Sequence, residues 1–157
     1  MAYKIVALAD AAFAIPALRA AFADAWAPWY GPGGQGDADL DLRSCMNTDR
    51  LPTAVAALDD AGAVLGTAAL KPESLGSELG YGPWLAAVLV LPPYRRRGIG
   101  SALIAAIEDR GRQLQFDAIF TSTDTANALV ERRGWVSLGR QVESLRGPVM
   151  LYRCDLA

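Results

Sequence analysis

One short segment carries most of the chemistry this sequence offers. Arg95-Arg96-Arg97-Gly98-Ile99-Gly100-Ser101 sets three guanidinium groups directly before two glycines one residue apart. An apolar run over residues 85–91 and Pro92-Pro93 come before it. Leu103, Ile104, Ile107 and Leu114 follow at helical spacing and predict a helix over 100–114. A glycine-bearing turn that opens a helix leaves backbone N–H groups unpaired and aimed the same way. The helix dipole adds partial positive charge there, and the combination suits a phosphate or pyrophosphate. Gly98 and Gly100 let the backbone approach an anion closely, because no Cβ intervenes. The arginines can pair with further phosphate oxygens.

The identity of the phosphate compound is narrowed by what is missing. A Walker A loop needs Lys-Ser or Lys-Thr after its second glycine, whereas Gly100 is followed by Ser101-Ala102. A dinucleotide fingerprint needs a small residue three positions after its second glycine, and Leu103 stands there. The chain has no histidine, which removes a Ser-His-Asp triad, a Cys-His dyad, His-ligated zinc and any histidine base. Asp37-Ala38-Asp39-Leu40-Asp41 opens like a calcium loop, but Leu42 and Thr48 occupy the positions that require glycine and glutamate. No metal is expected. The aspartates read as a solvated helix start or as a cation-attracting rim.

The net charge is −2, so a basic nucleic-acid binder is not expected. The charge is unevenly spread. Residues 1–94 carry 5 basic and 10 acidic side chains, and residues 95–157 carry 10 and 7. Such a split also arises by chance and alone decides nothing. The two cysteines, Cys45 and Cys154, form neither a disulfide framework nor a metal cluster. The alanine-rich start is interrupted by Lys4, Asp10, Arg19 and Asp24, which argues against a secretory leader. No apolar run is long enough to cross a membrane. A cytoplasmic protein with no membrane partner is the expectation.

These residues need a scaffold, and 157 residues suffice for one domain over 1–157. Residues 3–9 read as a strand. Ile15, Leu18, Phe22 and Trp26 form one helix face that stops near Pro28, and a Gly/Pro loop follows over 31–36. A short helix is expected over 37–47. Strands over 53–58 and 64–70 flank Asp59-Asp60-Ala61-Gly62 as a hairpin. Residues 71–83 form a loop, and 84–90 a buried central strand. After the 100–114 helix come a strand over 118–121, a helix over 125–133 ended by Gly134, and strands over 135–140 and 149–153. The order predicts an α/β fold of the α+β kind, a mixed and mostly antiparallel sheet with helices on both faces.

Pro92-Pro93-Tyr94-Arg95-Arg96-Arg97-Gly98-Ile99-Gly100, between strand and helix, resembles the signature of the GCN5-related N-acetyltransferases. That signature is a strand, Pro-x-x-Arg/Gln-x-x-Gly-x-Gly/Ala, and a helix. The element order, Gly134-Trp135 and Pro148-Val149-Met150 agree with it. The resemblance implies acetyl-CoA as co-substrate, with its pyrophosphate on the amides of Arg96, Arg97, Gly98, Ile99, Gly100 and Ser101, and Arg95 beside them. It implies central strands that splay, so that the edge at Leu89, Val90 and Leu91 pairs with the pantetheine amides. A backbone N–H near Val90 would donate to the thioester carbonyl. Thr123 and Asn127 would line the pantetheine channel, although the family's usual asparagine falls at Thr123.

Two features depart from the family pattern. Many members have a tyrosine four residues before the last glycine, where it protonates the departing thiolate; this chain has Val130. The thiolate would then take its proton from water, since its pKa is about 8.5 or slightly higher. Tyr94 and Tyr152 are substitutes by residue type alone. The central strand also lacks the family's frequent glutamate. Glu73, Glu78 and Asp124 are the carboxylates left as base candidates, acting through water, and each also reads as an ordinary loop carboxylate. Trp26, Trp29 and Tyr30, before the Gly/Pro loop, read either as a mobile lid over the acceptor or as core cover.

The expected activity is transfer of an acetyl group from acetyl-CoA to a primary amine of a small molecule. A non-catalytic acyl-CoA sensor and a protein N-terminal or lysine acetyltransferase are the alternatives, with a P-loop-like nucleotide binder behind them. The oligomeric state is not fixed by the sequence, and a homodimer stays open.

Overall fold

Strands at the centre of the sheet are buried on both faces, and the sequence shows why. In strand β2 (Thr53–Asp59), Val55 and Ala57 enter one core while Ala54, Ala56 and Leu58 enter the other. Alternation sends successive side chains to opposite faces, so a strand buried on both sides reads as a continuous apolar run. The computed structural model describes residues 2–156. Around β2 lie β1 (Tyr3–Ala7), α1 (Ile15–Ala25), α2 (Ala27–Tyr30), α3 (Ala38–Ser44), β3 (Val64–Lys71) and β4 (Trp84–Val90). Then follow α4 (Ile99–Gln113), β5 (Ala118–Thr123), α5 (Asn127–Arg132), β6 (Val136–Ser144) and β7 (Gly147–Asp155).

The sheet has seven strands in the order β1-β2-β3-β4-β5-β7-β6. All neighbours are antiparallel except β4 and β5, which α4 joins by a crossover. Helices cover both faces. Leu103, Ile104 and Ile107 of α4 pack on one; Ile15, Leu18 and Phe22 of α1 pack on the other. The expected class and element order therefore hold.

Two departures from regularity shape the centre. Ala69 pairs with Ala86 and Thr67 with Leu89, so Ala87 and Val88 together oppose Ala68, and Ala87 has φ 55°. This bulge shifts the pleat by one residue. Leu85 therefore enters the α4-side core, whereas Leu89, four residues on, enters the α1-side core. The second departure is that β4 and β5 are in register only at Trp84 and Phe120. Beyond that pair they part, which is the splay the family resemblance implied.

Other bounds differ from the sequence expectation for local reasons. Helix α4 ends at Gln113 because Gln115 turns into the left-handed region at φ 67°, which leaves Leu114 half-buried beyond the helix. The last hairpin is longer than expected, since β6 is mostly exposed and polar and carries little apolar signal. An additional short helix, Ala27–Tyr30, carries Trp29 and Tyr30.

Candidate active site

The fork between β4 and β5 opens into two cavities. The first, about 1180 Å³, lies between the end of β4, the start of α4 and the end of α5. Leu89, Val90, Tyr94, Arg95, Arg96, Gly98, Ile99, Gly100 and Ser101 line it. Arg96 at φ 65° and Gly98 at φ 81° curl the chain into the first turn of α4. A turn of this shape aims successive N–H groups inward, where an anion binds. A Cβ on Gly98 would meet nothing within 4 Å, and one on Gly100 would come 3.0 Å from Leu129 and 3.7 Å from Val90, at the cavity wall. The space, the amide donors and the guanidinium groups suit a phosphate-bearing ligand.

Leu91 N–H donates to Leu65 O of β3 at 2.9 Å. Its neighbour Val90 therefore directs its backbone groups away from β3, toward the fork. The Val90 carbonyl accepts from Arg95 Nε at 2.9 Å, which folds this side chain back along the strand end. Leu91 itself faces β3, and neither it nor Arg97 lines the cavity.

The second cavity, about 670 Å³, lies on the other side of the fork. Leu85 to Val88 of β4, Thr121 to Thr123 of β5, the 73–75 loop, the tip of the last hairpin and the aromatics before the Gly/Pro loop enclose it. Trp26, Trp29 and Tyr30 all line it. Phe22 holds Trp26 edge-on, with centroids 5.0 Å apart. The Tyr30 hydroxyl donates to Asp41 at 2.6 Å. Burial first, and then this bond, raise the phenol above its usual range, so Tyr30 stays a protonated donor. The Gly/Pro loop is folded tightly onto these rings. Gly36 N–H donates to Trp29 O at 2.8 Å, and a Cβ on Gly36 would lie 2.4 Å from Trp29 Nε1.

The two cavities share Trp26, Val88, Thr125, Ala126 and Arg146 in their walls. They meet at the bulge in β4. Their charges differ. Arg95, Arg96, Arg132, Arg133 and Arg146 face the first against Asp24. Asp41, Glu73, Asp124 and Glu143 face the second against Lys71 and Arg146.

The sequence candidates separate accordingly. Glu73 is exposed and lines the second cavity. Asp124 lines it too but is paired with Arg146 at 2.8 Å. Glu78 sits in a short turn and lines neither cavity. Thr123 lines the second cavity, and its hydroxyl accepts from the N–H groups of Thr125 and Ala126. Asn127 is turned away and donates to the Tyr152 hydroxyl at 3.1 Å, which in turn donates to Glu131 at 2.9 Å. Tyr152 is thus committed to α5 and is not at the cavity. Val130 is fully buried in the α4-side core. Of the aspartates in the calcium-like run, Asp37 caps α3, Asp39 pairs with Arg19 and Arg43, and Asp41 alone reaches the cavity. No group of three His, Cys, Asp or Glu able to hold a metal occurs among the described residues.

Sequence reasoning missed Arg133, Glu108 and Trp135. Arg133 lines the first cavity. Glu108 accepts from Arg133 Nε at 2.9 Å, from Arg133 Nη2 at 2.8 Å and from Trp135 Nε1 at 2.9 Å. One signal was present: Glu108 interrupts the apolar face of α4 between Ile104 and Gly111, and a charge there requires a partner. Burial opposes its ionisation, but the bonds from Arg133 and Trp135 and the charge of Arg133 outweigh this and hold the carboxyl below its usual range.

Comparison with known proteins agrees with this fold. A search of curated protein sequences returns no match. Solved structures share the whole fold at low identity. An aminoglycoside 6'-N-acetyltransferase complexed with coenzyme A superposes with TM-score 0.76 at 17% identity, over 100% of this chain and 98% of that one. An N-acetyltransferase from Staphylococcus aureus Mu50 gives 0.77 at 15% identity, over 100% of both chains. An aminoglycoside 6'-acetyltransferase type Ii gives 0.74 at 18%, over 100% and 98%. The model of the acetyltransferase (GNAT) family matches residues 18–135. The chain belongs to this family of acyltransferases, and acetyl-CoA is its co-substrate.

Proposed function

We propose that this protein transfers the acetyl group of acetyl-CoA directly to a primary amine of a small cationic molecule. The observation that carries the reading is the meeting, at Val88, of an arginine-lined cavity and a carboxylate-lined one. Acetyl-CoA, when bound, supplies an activated thioester. The first cavity holds its phosphates on the turn from Arg96 to Ser101, with Arg95 beside it. Val90, whose backbone groups face the fork, pairs with the pantetheine arm. The thioester carbonyl takes a backbone N–H at Val90 or at Val88, where the cavities join.

Asp41, Glu73 and Glu143 attract a cationic acceptor into the second cavity, and Trp26, Trp29 and Tyr30 shape its wall. Glu73 is our choice of base. It lines the cavity with no ion-pair partner among the described residues, whereas Asp124 is held by Arg146. It accepts the ammonium proton through water, the amine nitrogen bonds to the carbonyl carbon, the C–S bond breaks, and the nitrogen's second proton leaves to water as the amide forms. The thiolate takes its proton from water, because Val130 offers none. We place the protein in the cytoplasm. Both thiols are free and buried, and among the described residues no helix is long and apolar enough to cross a membrane.

A panel of small mono- and polyamines, with an amino-terminal peptide and a lysine peptide alongside, tests the reading by thiol release from acetyl-CoA. Release with small polyamines is expected. Release with peptides alone would assign the second cavity to a protein substrate, and release with none would leave an acyl-CoA sensor.

A further inference from the structure

Arg133 lies 32 residues beyond the phosphate turn, yet it is built into the same cavity. Two of its nitrogens grip Glu108, which is only 5% exposed, and Trp135 braces the same carboxylate from the side. A bidentate fork of this kind fixes both the plane and the direction of the guanidinium. The third nitrogen, Nη1, donates to Ser101 Oγ at 3.2 Å, in the first turn of α4. The bonds to Glu108 and Ser101 use three of the five N–H groups a guanidinium carries. The side chain remains 26% exposed, on the cavity side. Because the Ser101 hydroxyl accepts from Arg133, its own proton is left to donate. The two side chains therefore present N–H and O–H donors together, beside the amides of the turn.

We propose that Arg133, set in place by Glu108, is a phosphate-recognising residue of this cavity, acting with Ser101. The inference rests on the reading that this cavity holds acetyl-CoA. Glu108 cancels most of the charge of Arg133, so its contribution is directional rather than a net attraction; Arg95, Arg96 and Arg132 supply the latter. The chemistry is a phosphate oxygen, and CoA offers two sources, the pyrophosphate and the 3'-phosphate.

Titration calorimetry with CoA and with 3'-dephospho-CoA tests it. Wild type is compared with Arg133→Gln/Glu108→Gln, which replaces the ion pair by two neutral amides and keeps an acceptor for Trp135 Nε1. Circular dichroism and thermal melting check that the double variant is folded. Its Kd for CoA should rise about tenfold or more, the size expected for a hydrogen bond to a charged group. If the 3'-phosphate is the partner, wild type binds dephospho-CoA more weakly than CoA and the double variant loses that discrimination. If the pyrophosphate is the partner, the double variant weakens both ligands alike. Glu108→Gln alone should fall in between, because Arg133 is present but less firmly aimed. A folded double variant whose Kd for both ligands stays within about twofold of wild type overturns the proposal. A wild-type protein that binds neither ligand overturns the reading of the cavity as well.

Discussion

The Thr121 hydroxyl donates to the Leu85 carbonyl at 2.9 Å, one residue beyond the Trp84–Phe120 pair where β4 and β5 still run in register. It is a side-chain stitch at the crotch of the fork, and Thr121 is only 5% exposed. Thr121→Val keeps the shape and deletes the donor, leaving a buried carbonyl without this partner. The expected cost is roughly 1–3 kcal/mol. That corresponds to a fall in Tm of several degrees, at about 2–4 °C per kcal/mol for a domain near this size. KM for both substrates should rise more than kcat falls, because the fork sets the spacing of the two cavities rather than the chemistry. Thermal melts and steady-state kinetics check this.

Gly100 lies where the first turn of α4 faces Leu129 and Val90 across the first cavity. Gly100→Trp should fill that space. The added Cβ displaces the end of the Leu129 side chain by a few tenths of an ångström and the indole extends into the cavity, so the fold should survive with a modest loss of Tm. Stabilisation by acetyl-CoA in a thermal-shift assay should disappear. Retained stabilisation would place the phosphate site elsewhere.

The Glu108–Arg133 pair has a pH signature. The folded carboxyl titrates below its ordinary value of 4.5, since the bonds and charge from Arg133 outweigh burial. A lowered folded pKa contributes stability above the unfolded value that is lost as pH falls through the folded one. Glu108→Gln should therefore lower Tm at pH 7, and the gap from wild type should narrow once the pH drops below 4.5. Melting curves of both proteins across this range check the sign.

If Glu73 relays the ammonium proton, Glu73→Gln should reduce kcat/KM by about two orders of magnitude, the low end for a general base. Glu78→Gln, outside both cavities, should leave it nearly unchanged. Asp124→Asn should act mainly through the hairpin tip that Arg146 anchors. Equal losses in all three would mean that none is the base.

The glycine-bearing turn that opens α4 was legible in the sequence because its signals are local. The glycines, the arginines and the following apolar stripe of α4 lie within one short stretch. The strand around Val55 was legible because burial on both faces writes an unbroken apolar run over 54–58. The bulge at Ala87 was not, since a one-residue shift of pleat leaves composition unchanged and depends on how β4 meets β3 between Thr67 and Ala69. The partnership of Arg133 with Glu108 was hidden for a similar reason: 25 residues separate them, and only the packing of α5 against α4 joins them. For Glu78 and Asn127 the sequence offers only position along the chain. Neither lines a cavity, because a short turn carries Glu78 elsewhere and Tyr152 holds Asn127.

The proposed reaction is acetyl transfer to an amine across the fork. Its most direct test measures thiol release and N-acetyl product together, with acetyl-CoA at saturation and a small polyamine varied. Thiol release is expected to require the amine and to match the N-acetylated product one for one. Saturating binding of acetyl-CoA with no amine-dependent thiol release, across the panel of small amines, would contradict it.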